Sequence, residues 1–335
     1  MSPQAPQPYT PFQGGAAQTL ESTHIPAVDN TPSSHRSGHR EESTMSIVPT
    51  YWQSISLDEL NEKAAMQTRV DRKYIVDADY AASILAELPA DEAAVLEIDG
   101  QREFAYDSVY FDTPDLVSYK ASAIGPSLLV VKKSPFCASR NRFKVRTRSY
   151  LDSDLSFLEV KTEGAREFTV KERIPYSIEN RDMLTAEGKE YVATALEQLT
   201  DASVDDLEPV IRTGYRRTTV YLPQSEQNPV DSRLTIDTSL TWTPLSESVL
   251  MYTADGGEGP TKYQVGTEYT APGTVIIETK SGSAPSIADK YLWRAGIRPV
   301  KISKFATGMA ALNPQLPANK WKRTIQHWMQ LEPAA

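Results

Sequence analysis

The pattern of apolar and polar positions changes in character near residue 47. Residues 1–44 contain six of the 23 prolines, many Ser, Gln and Thr residues, and almost no aliphatic cluster. Such a segment buries too little apolar surface to offset the entropy lost on ordering, so we predict a disordered tail over residues 1–44. From Ile47 onward the patterning is that of a folded domain, which we place at residues 45–312.

Helical patterns in this domain are few and short. Ser56 is followed three residues later by Glu59, which is the capping box that opens a helix. Pro89 ends a second helical pattern, because the residue before a proline disfavours helical geometry. Helices are predicted at about residues 56–66, 79–88, 185–199 and 286–295. A C-terminal amphipathic helix that packs on the domain is predicted within 313–335, from the apolar stripe of Trp321, Ile325, Trp328 and Met329.

Most of the chain beyond residue 100 alternates with a period of two, which is typical of β-strands. The predicted strands are Glu103–Phe111, Ser127–Lys133, Arg142–Tyr150, Ser156–Thr162, Glu167–Ile174, Val210–Leu222, Arg233–Leu240 and Thr274–Lys280. Many strands with few helices indicate an α+β protein in which a barrel or sandwich carries peripheral helices. The run 246–272, rich in Gly, Thr and Tyr, is assigned to no element.

Cations alternate with apolar residues in the strand Arg142–Tyr150. Arg142, Lys144, Arg146 and Arg148 share one face, and Phe143 and Val145 take the other. If only one strand had this pattern, its cationic face would be explained as the solvated face of an edge strand, where lysines discourage pairing with another strand.

The same alternation recurs along five further strands. It places together Glu159 and Lys161, Lys171 and Arg173, Tyr215 and Arg217, Arg233 and Asp237, and Glu278 and Lys280. Several strands with mainly cationic polar faces indicate one shared charged surface, which is the lumen if the sheet closes into a barrel. Like charges packed together are costly without an anion to neutralise them, so we predict a polyanionic ligand such as a chain of phosphates.

The overall composition restricts the chemistry further. The formal net charge is −9, so a general affinity for nucleic acid or anionic membranes is not expected. Cys137 is the one cysteine, and His327 is the one histidine outside the first 40 residues, which leaves almost no material for catalytic triads or His-clustered metal sites. No apolar run reaches the roughly 18 residues that span a bilayer, and we expect a cytoplasmic protein.

Two carboxylates, Glu159 and Glu278, lie among these cations. Phosphate chemistry commonly uses a divalent metal, and hard cations take carboxylate oxygens as ligands. The alternative for each carboxylate is an ion pair with a neighbouring cation. For Glu159 the residues favour neither hypothesis, whereas for Glu278 they favour metal binding.

Nine short motifs in order resemble the VTC domain, the polyphosphate polymerase domain of the vacuolar transporter chaperone family. Each motif is weak alone, but their order and rough spacing agree over residues 50–312. They are Arg69–Tyr74, Tyr110–Thr113, Arg146–Tyr150, Leu158–Lys161, Lys171–Arg173, Tyr215–Thr218, Arg233–Thr238, Ile277–Ser281 and Lys301–Phe305.

The resemblance implies a triphosphate tunnel metalloenzyme, which is a closed antiparallel barrel of about eight strands around a basic tunnel. It implies transfer of the γ-phosphoryl group of ATP to a growing inorganic polyphosphate chain, with Mn²⁺ or Mg²⁺ as cofactor. The implied catalytic residues are Lys73, Arg146, Arg148, Lys161, Arg217, Arg233 and Lys280. The phosphate-binding candidates are Lys171, Arg173, Tyr215, Lys301, Ser303 and Lys304. The resemblance implies Glu278 as a metal ligand, and Glu159 is a second metal candidate from its place among the cations.

Two other functions remain open at this point. One is a tunnel triphosphatase that hydrolyses tripolyphosphate or a nucleoside triphosphate, and the other is a non-catalytic polyphosphate-binding module. Hydrolytic relatives of the wider superfamily carry a Glu-x-Glu-x-Lys motif near the N-terminus, whereas Val70–Lys73 lacks that pair of glutamates. This departure favours the polymerase.

Overall fold

The computed structural model describes residues 47–63, 70–124, 142–163, 169–197, 203–251 and 262–334. The predicted tail 1–44, the predicted strand Ser127–Lys133 and Cys137 lie outside the described residues, and so does the end of the first predicted helix.

Twelve strands among the described residues belong to one sheet. They are β1 (Gln53–Ile55), β2 (Val70–Asp77), β3 (Ala94–Leu96), β4 (Phe104–Asp112), β5 (Phe143–Tyr150), β6 (Leu155–Glu163), β7 (Thr169–Pro175), β8 (Glu208–Leu222), β9 (Ser232–Pro244), β10 (Tyr269–Thr270), β11 (Thr274–Ser281) and β12 (Glu332–Pro333). The predicted strands at 103–111, 142–150, 156–162, 167–174, 210–222, 233–240 and 274–280 are confirmed. The strands β1, β2, β3, β10 and β12 are not predicted by the alternation along the chain.

The long strands run antiparallel in the order β2, β11, β9, β8, β4, β5, β6, β7. A mixed α+β fold with a large antiparallel sheet is therefore confirmed, but a closed barrel is not. Within the described ranges, no ladder joins the end strands β2 and β7, so the hydrogen-bonded sheet is open. The backbone N–H of Val300 instead donates to the carbonyl of Lys73 at 2.8 Å, and this contact occupies part of the outer edge of β2.

The described α-helices lie between and after these strands. They are α1 (Leu57–Lys63), α2 (Ala78–Ala86), α3 (Val117–Ala123), α4 (Ala186–Leu196), α5 (Glu247–Leu250), α6 (Ile287–Arg294), α7 (Lys304–Leu312) and α8 (Lys322–Trp328). The capping box before α1 is confirmed: the Glu59 amide donates to the Ser56 hydroxyl at 3.3 Å, and the Ser56 amide donates to the Glu59 carboxylate at 3.2 Å. None of the described helices is long and apolar enough to cross a membrane.

Two apolar clusters cover one face of the sheet, here called the outer face. In the first, Val76, Ile277 and other apolar residues of β2, β9 and β11 pack against α2 and α6. In the second, Val145, Leu158 and their neighbours on β4, β5 and β6 pack against α4. The alternation of the strands leaves the charged residues on the opposite face, here called the inner face.

A third apolar cluster fills one end of the inner face. Residues of α7 pack there against Tyr110 and Trp242, and Trp321 and Met329 beside α8 join the same cluster. Gly308 is required at this contact, because a Cβ there would lie 2.3 Å from the ring of Trp242. The other end of the inner face keeps its charged side chains.

The segment that leads into α7 contacts strands from both sides of the sheet. Val300 bonds to β2, Lys304 bonds to Asp237 on β9, and Ser303 accepts from Lys144 on β5 at 3.1 Å. Since β2 and β5 are five positions apart in the sheet, these contacts of one short segment indicate that the inner face is concave around it.

Candidate functional site

The strand register brings the predicted charged residues together across the inner face. Arg146 lies opposite Glu159, which lies opposite Arg173, and Lys161 lies opposite both Lys144 and Lys171. On the other half of the sheet, Arg217 lies opposite Asp237, Thr235 lies opposite Glu278, and Glu278 lies opposite Lys73. The shared charged face predicted from the alternation is therefore present in the fold.

Glu159 holds two cations from neighbouring strands. It is fully buried, and one oxygen of its carboxylate accepts from Arg146 at 2.5 and 2.8 Å. The other oxygen forms an ion pair with the Lys171 ammonium at 2.5 Å. Burial alone would raise the pKa of this carboxyl group, but Arg146, Arg148 and Lys171 hold the pKa far below its ordinary value. These contacts are those of an ion pair, and a metal role for Glu159 stays a prediction.

Lys161 lies in a crowded cationic environment next to this ion pair. Repulsion from Arg146 and burial, with further repulsion from Arg148 and Lys171, lower the pKa of Lys161 well below its ordinary value. A bound anion would stabilise the protonated form of this lysine, because its negative charge offsets the repulsion from the neighbouring cations. Lys161 is therefore suited to binding an anion.

A second ion-pair network is built around Asp237, which is fully buried. Its carboxylate accepts from Arg217 at 2.6 and 2.8 Å and from Lys304, the first residue of α7. Burial would raise the pKa of Asp237, but Arg217 and Lys304 lower it to about 2. Lys304 also lies over the ring of Tyr215, with Nζ 4.2 Å from the ring centroid. Asp237 thus places cations from two distant segments of the chain side by side.

Glu278 and Lys280 form a third charged group on β11. The Lys280 ammonium lies 3.1 Å from the Glu278 carboxylate, and the side chains are 16% and 14% exposed. Burial would raise the pKa of Glu278, but Lys280, Lys73 and Arg217 hold it well below its ordinary value. The carboxylate is therefore ionised at neutral pH and accessible from the inner face.

A row of aromatic rings crosses the inner face beside these charges. Tyr106 stacks on Tyr215, with ring centroids 5.1 Å apart and planes within 7°. Tyr106 also contacts Tyr150 at 4.9 Å, and Tyr150 meets Phe157 edge-on at 6.0 Å. Three of the four rings lie within reach of an arginine or lysine, so they contribute to holding the cations.

Several buried polar atoms of the inner face have no hydrogen-bond partner among the described residues. They are Ser108 Oγ, the Nε of Arg148, Thr213 Oγ1, the hydroxyl of Tyr215 and Thr235 Oγ1. Buried polar groups are ordinarily paired, because desolvation without a partner is costly. Atoms of this kind beside unsatisfied cations fit a site that a polar anion completes.

The remaining predicted site residues lie at the rim of this face or away from it. Arg173 is exposed and lies over the ring of Phe157 at 4.4 Å, and Arg233 lies opposite Lys280 in register. Lys301 is exposed and makes no ion pair or hydrogen bond with the other site residues of the described chain. Ser303 caps α7 and accepts from Lys144, so it lies next to the charged face.

Several residues of this site are not among the candidates predicted from the sequence. The alternation predicts only that Asp237 shares a strand face with Arg233, whereas in the fold Asp237 pairs with Arg217 and Lys304. Tyr106, Ser108 and Tyr110 share the inner face of β4, and a period-two reading of that strand would have found them. Lys144 was identified in the alternation but was not assigned a role.

The described carboxylates do not form a metal cage by themselves. No group of three or more Asp, Glu, His or Cys side chains that could hold an ion occurs in the described part of the chain. All three carboxylates pair with cations, but Asp237 and Glu159 are fully buried, whereas Glu278 is partly exposed. Mg²⁺ in phosphate-processing sites is commonly held by one or two carboxylates together with phosphate oxygens, so Glu278 fits a metal of this kind.

The fold and the site define a mixed α+β protein whose large antiparallel sheet gathers cations and buried counter-ions on one concave face. Residues 68–313 match the family model of the VTC domain, which covers most of the chain. The chain belongs to the VTC domain family. A comparison with curated proteins gives no match.

Distant structural similarities were also found. The putative adenylyl cyclase HpAC1 from Hippeastrum, described as having a dominant triphosphatase activity, is 12% identical over 72% of this chain and 94% of its own, with a TM-score of 0.37. The PH1012 protein from Pyrococcus horikoshii OT3 is 11% identical over 68% of this chain and 88% of its own, with a TM-score of 0.29. Similarities this low support no conclusion about activity.

Proposed function

We propose that this protein is a polyphosphate polymerase that transfers the γ-phosphoryl group of ATP to the end of an inorganic polyphosphate chain. The observation that carries the proposal is the excess of cations over carboxylates on the inner face. Three carboxylates, Glu159, Asp237 and Glu278, are each engaged by cations there. Further cations, including Lys73, Arg148 and Lys161, lie on the same face and leave positive charge for an anion to neutralise.

The reaction fits a site without histidine or another protein nucleophile. An oxygen of the terminal phosphate of the chain forms a bond to the γ-phosphorus of ATP, and the bond from that phosphorus to the bridging oxygen of ADP breaks. The attacking oxygen is already ionised, so no protein base is needed. Positioning and charge neutralisation then supply most of the catalysis.

The residues divide into two roles in this proposal. Arg146, Arg217 and Lys304 are held by buried carboxylates, so they present donors in fixed places. Most of the negative charge of the phosphates would be neutralised by Arg148, Lys161 and Lys73. We assign the same phosphate-binding role to Lys171, Arg233 and Lys280, and hydrogen bonding to Tyr215 and Ser303.

Glu278 and oxygens of the bound phosphates would hold a divalent cation. Such an ion supplies neutralisation of the charge that develops on the transferred phosphoryl group. Glu159 acts as a counter-ion for Arg146 and Lys171 in this proposal, because both cations already contact its carboxylate. In this proposal the concave inner face forms the wall of a tunnel, although hydrogen bonds between the described strands do not close its sheet, and the growing product passes along that face.

The direct test is incubation of the purified protein with ATP and Mn²⁺. We expect ADP together with a phosphate polymer that is resolved on a gel and destroyed by a polyphosphatase. Glu278→Gln should abolish metal-dependent turnover while tripolyphosphate still binds without metal. The matched control is Glu172→Gln on β7, whose carboxylate is exposed on the outer face.

The two alternatives predict different products. ADP and orthophosphate without polymer, even when a short polyphosphate primer is supplied, would establish a triphosphatase. Tight binding of polyphosphate with ATP left intact would establish a binding module. If Glu278→Gln loses tripolyphosphate binding to the same degree as turnover, Glu278 is only the ion-pair partner of Lys280.

A further inference from the structure

Tyr106 occupies a central position on the inner face. It lies on β4, the strand between β5 and β8, and pairs in register with Tyr150 on one side and Tyr215 on the other. Two arginines from these flanking strands approach its ring. The guanidinium carbon of Arg148 lies 5.9 Å from the ring centroid, and that of Arg217 lies 5.2 Å from it.

The contact matters most for Arg148. Arg146 is fixed by Glu159 and Arg217 by Asp237, but no described carboxylate lies within ion-pair distance of Arg148. The Nε of Arg148 is buried and has no hydrogen-bond partner in the described chain. Among the described residues, the ring of Tyr106 is the cation-binding group that lies next to this side chain.

An aromatic face holds a guanidinium group without consuming its N–H donors. A carboxylate partner would instead take two of those donors and cancel the charge. Stacking on Tyr215 within 7° of parallel keeps the ring of Tyr106 in place. Arg148 is thereby oriented while its donors and its charge remain available.

We propose that Tyr106 is a positioning residue, whose ring orients Arg148 and Arg217 for phosphate binding. This inference rests on the proposed function, because it takes the inner face to be the phosphate site. The aromatic ring carries the role rather than the hydroxyl group, which makes no hydrogen bond with a described residue. Burial raises the pKa of that hydroxyl to about 12, so it stays neutral at physiological pH.

The test is the affinity for inorganic tripolyphosphate, measured by calorimetry without metal for the full chain and its variants. Tyr106→Phe keeps the ring and should bind within about twofold of the wild type, whereas Tyr106→Leu should bind about tenfold more weakly. In the Arg148→Ala background, Tyr106→Leu should weaken tripolyphosphate binding by only about threefold or less, because one of the two oriented cations is then absent.

Tyr150→Leu is the matched control. Tyr150 belongs to the same aromatic row, but no cation of the described chain lies over its ring. The melting temperature of Tyr150→Leu should fall about as much as that of Tyr106→Leu, while its affinity for tripolyphosphate should stay within about twofold of the wild type.

The outcomes separate this inference from the proposed function. An equal factor for Tyr106→Leu in the wild-type and Arg148→Ala backgrounds would overturn the positioning role, and so would a Tyr106→Phe variant as weak as Tyr106→Leu. If Arg148→Ala itself binds tripolyphosphate as well as the wild type does, the phosphate site is wrong, and the role of Tyr106 is lost with it.

Discussion

Replacing Lys161 by methionine should make the ligand-free protein more stable and its ligand binding weaker. Lys161 lies opposite Lys144 and Lys171, and repulsion from Arg146 is the main reason that its pKa is lowered. Methionine has a similar length and no charge, so the substitution removes the repulsion and largely keeps the packing. A residue that serves only the fold would show the opposite change in stability.

The magnitude follows from the partial exposure of Lys161. Replacing a buried ion pair by apolar groups of similar volume is often neutral or stabilising by about 1–4 kcal/mol. Lys161 is one partly exposed cation, so the gain expected for it lies near the lower end of that range. We therefore expect a gain of about 1 kcal/mol, or a rise in melting temperature of about 2 °C. A charge-assisted contact to phosphate contributes about 1.5–3 kcal/mol, so tripolyphosphate should bind about 10- to 100-fold more weakly.

The pH dependence provides a second readout. Because the pKa of Lys161 is lower in the folded protein than in the unfolded chain, the unfolded chain binds more protons between these two values. The stability of the wild type should therefore rise with pH across that window. The advantage of Lys161→Met is complete below the lowered pKa and should shrink as pH rises through it.

Urea unfolding at several pH values and calorimetric titration with tripolyphosphate measure both effects. Lys189→Met is the control, because Lys189 lies outside the charged face and pairs with Asp205 at 2.9 Å. It should leave tripolyphosphate binding unchanged. If Lys161→Met lowers the stability of the ligand-free protein and leaves tripolyphosphate binding intact, Lys161 is not an anion-binding residue.

Three further predictions concern the ion pairs and the packing that support the site. Glu159→Gln leaves Arg146 and Lys171 without their counter-ion and should destabilise the ligand-free fold by about 3–5 kcal/mol in urea unfolding. Tripolyphosphate should restore part of this stability. An unchanged stability would show that the ion pair is dispensable. Because the pKa of Glu159 is lowered by its cations, its contribution to stability is complete above the ordinary glutamate pKa and should decrease as pH falls below it, a decrease that the Gln variant lacks. Gly308→Ala forces a methyl group into Trp242 and should cost about 1–3 kcal/mol, whereas Ala310→Gly on the same helix should cost only about 1 kcal/mol; an equal cost would contradict the close contact.

Local alternation along the chain predicted most of the long strands and the sharing of a face by their cations. In β5, for example, the period-two pattern alone separates Arg146 and Arg148 from Phe143 and Val145. This works because side-chain direction in a strand is a local property of the backbone. Composition added the exclusion of histidine-based chemistry.

Two elements escaped prediction for a common reason. In β2, Tyr74 and Val76 pack on the outer face while Ile75 packs into the inner apolar cluster, so the strand shows no alternation beyond Lys73. In α7, every residue after Lys304 is buried, so the helix has no polar stripe to mark its period. Segments buried on both faces, such as 74–76 in β2 and 305–312 in α7, carry no amphipathic signal.

Only the tertiary structure decided the ion-pair partners and the open edges of the sheet. Asp237 meets Lys304 across 67 residues of sequence, and Val300 reaches the edge of β2 across a still longer separation. The sequence by itself determined which side chains share a strand face and which chemistry they exclude. Only the folded chain decided which cations are neutralised, which remain available to an anion and which edges stay open, because those contacts join segments that no local pattern connects.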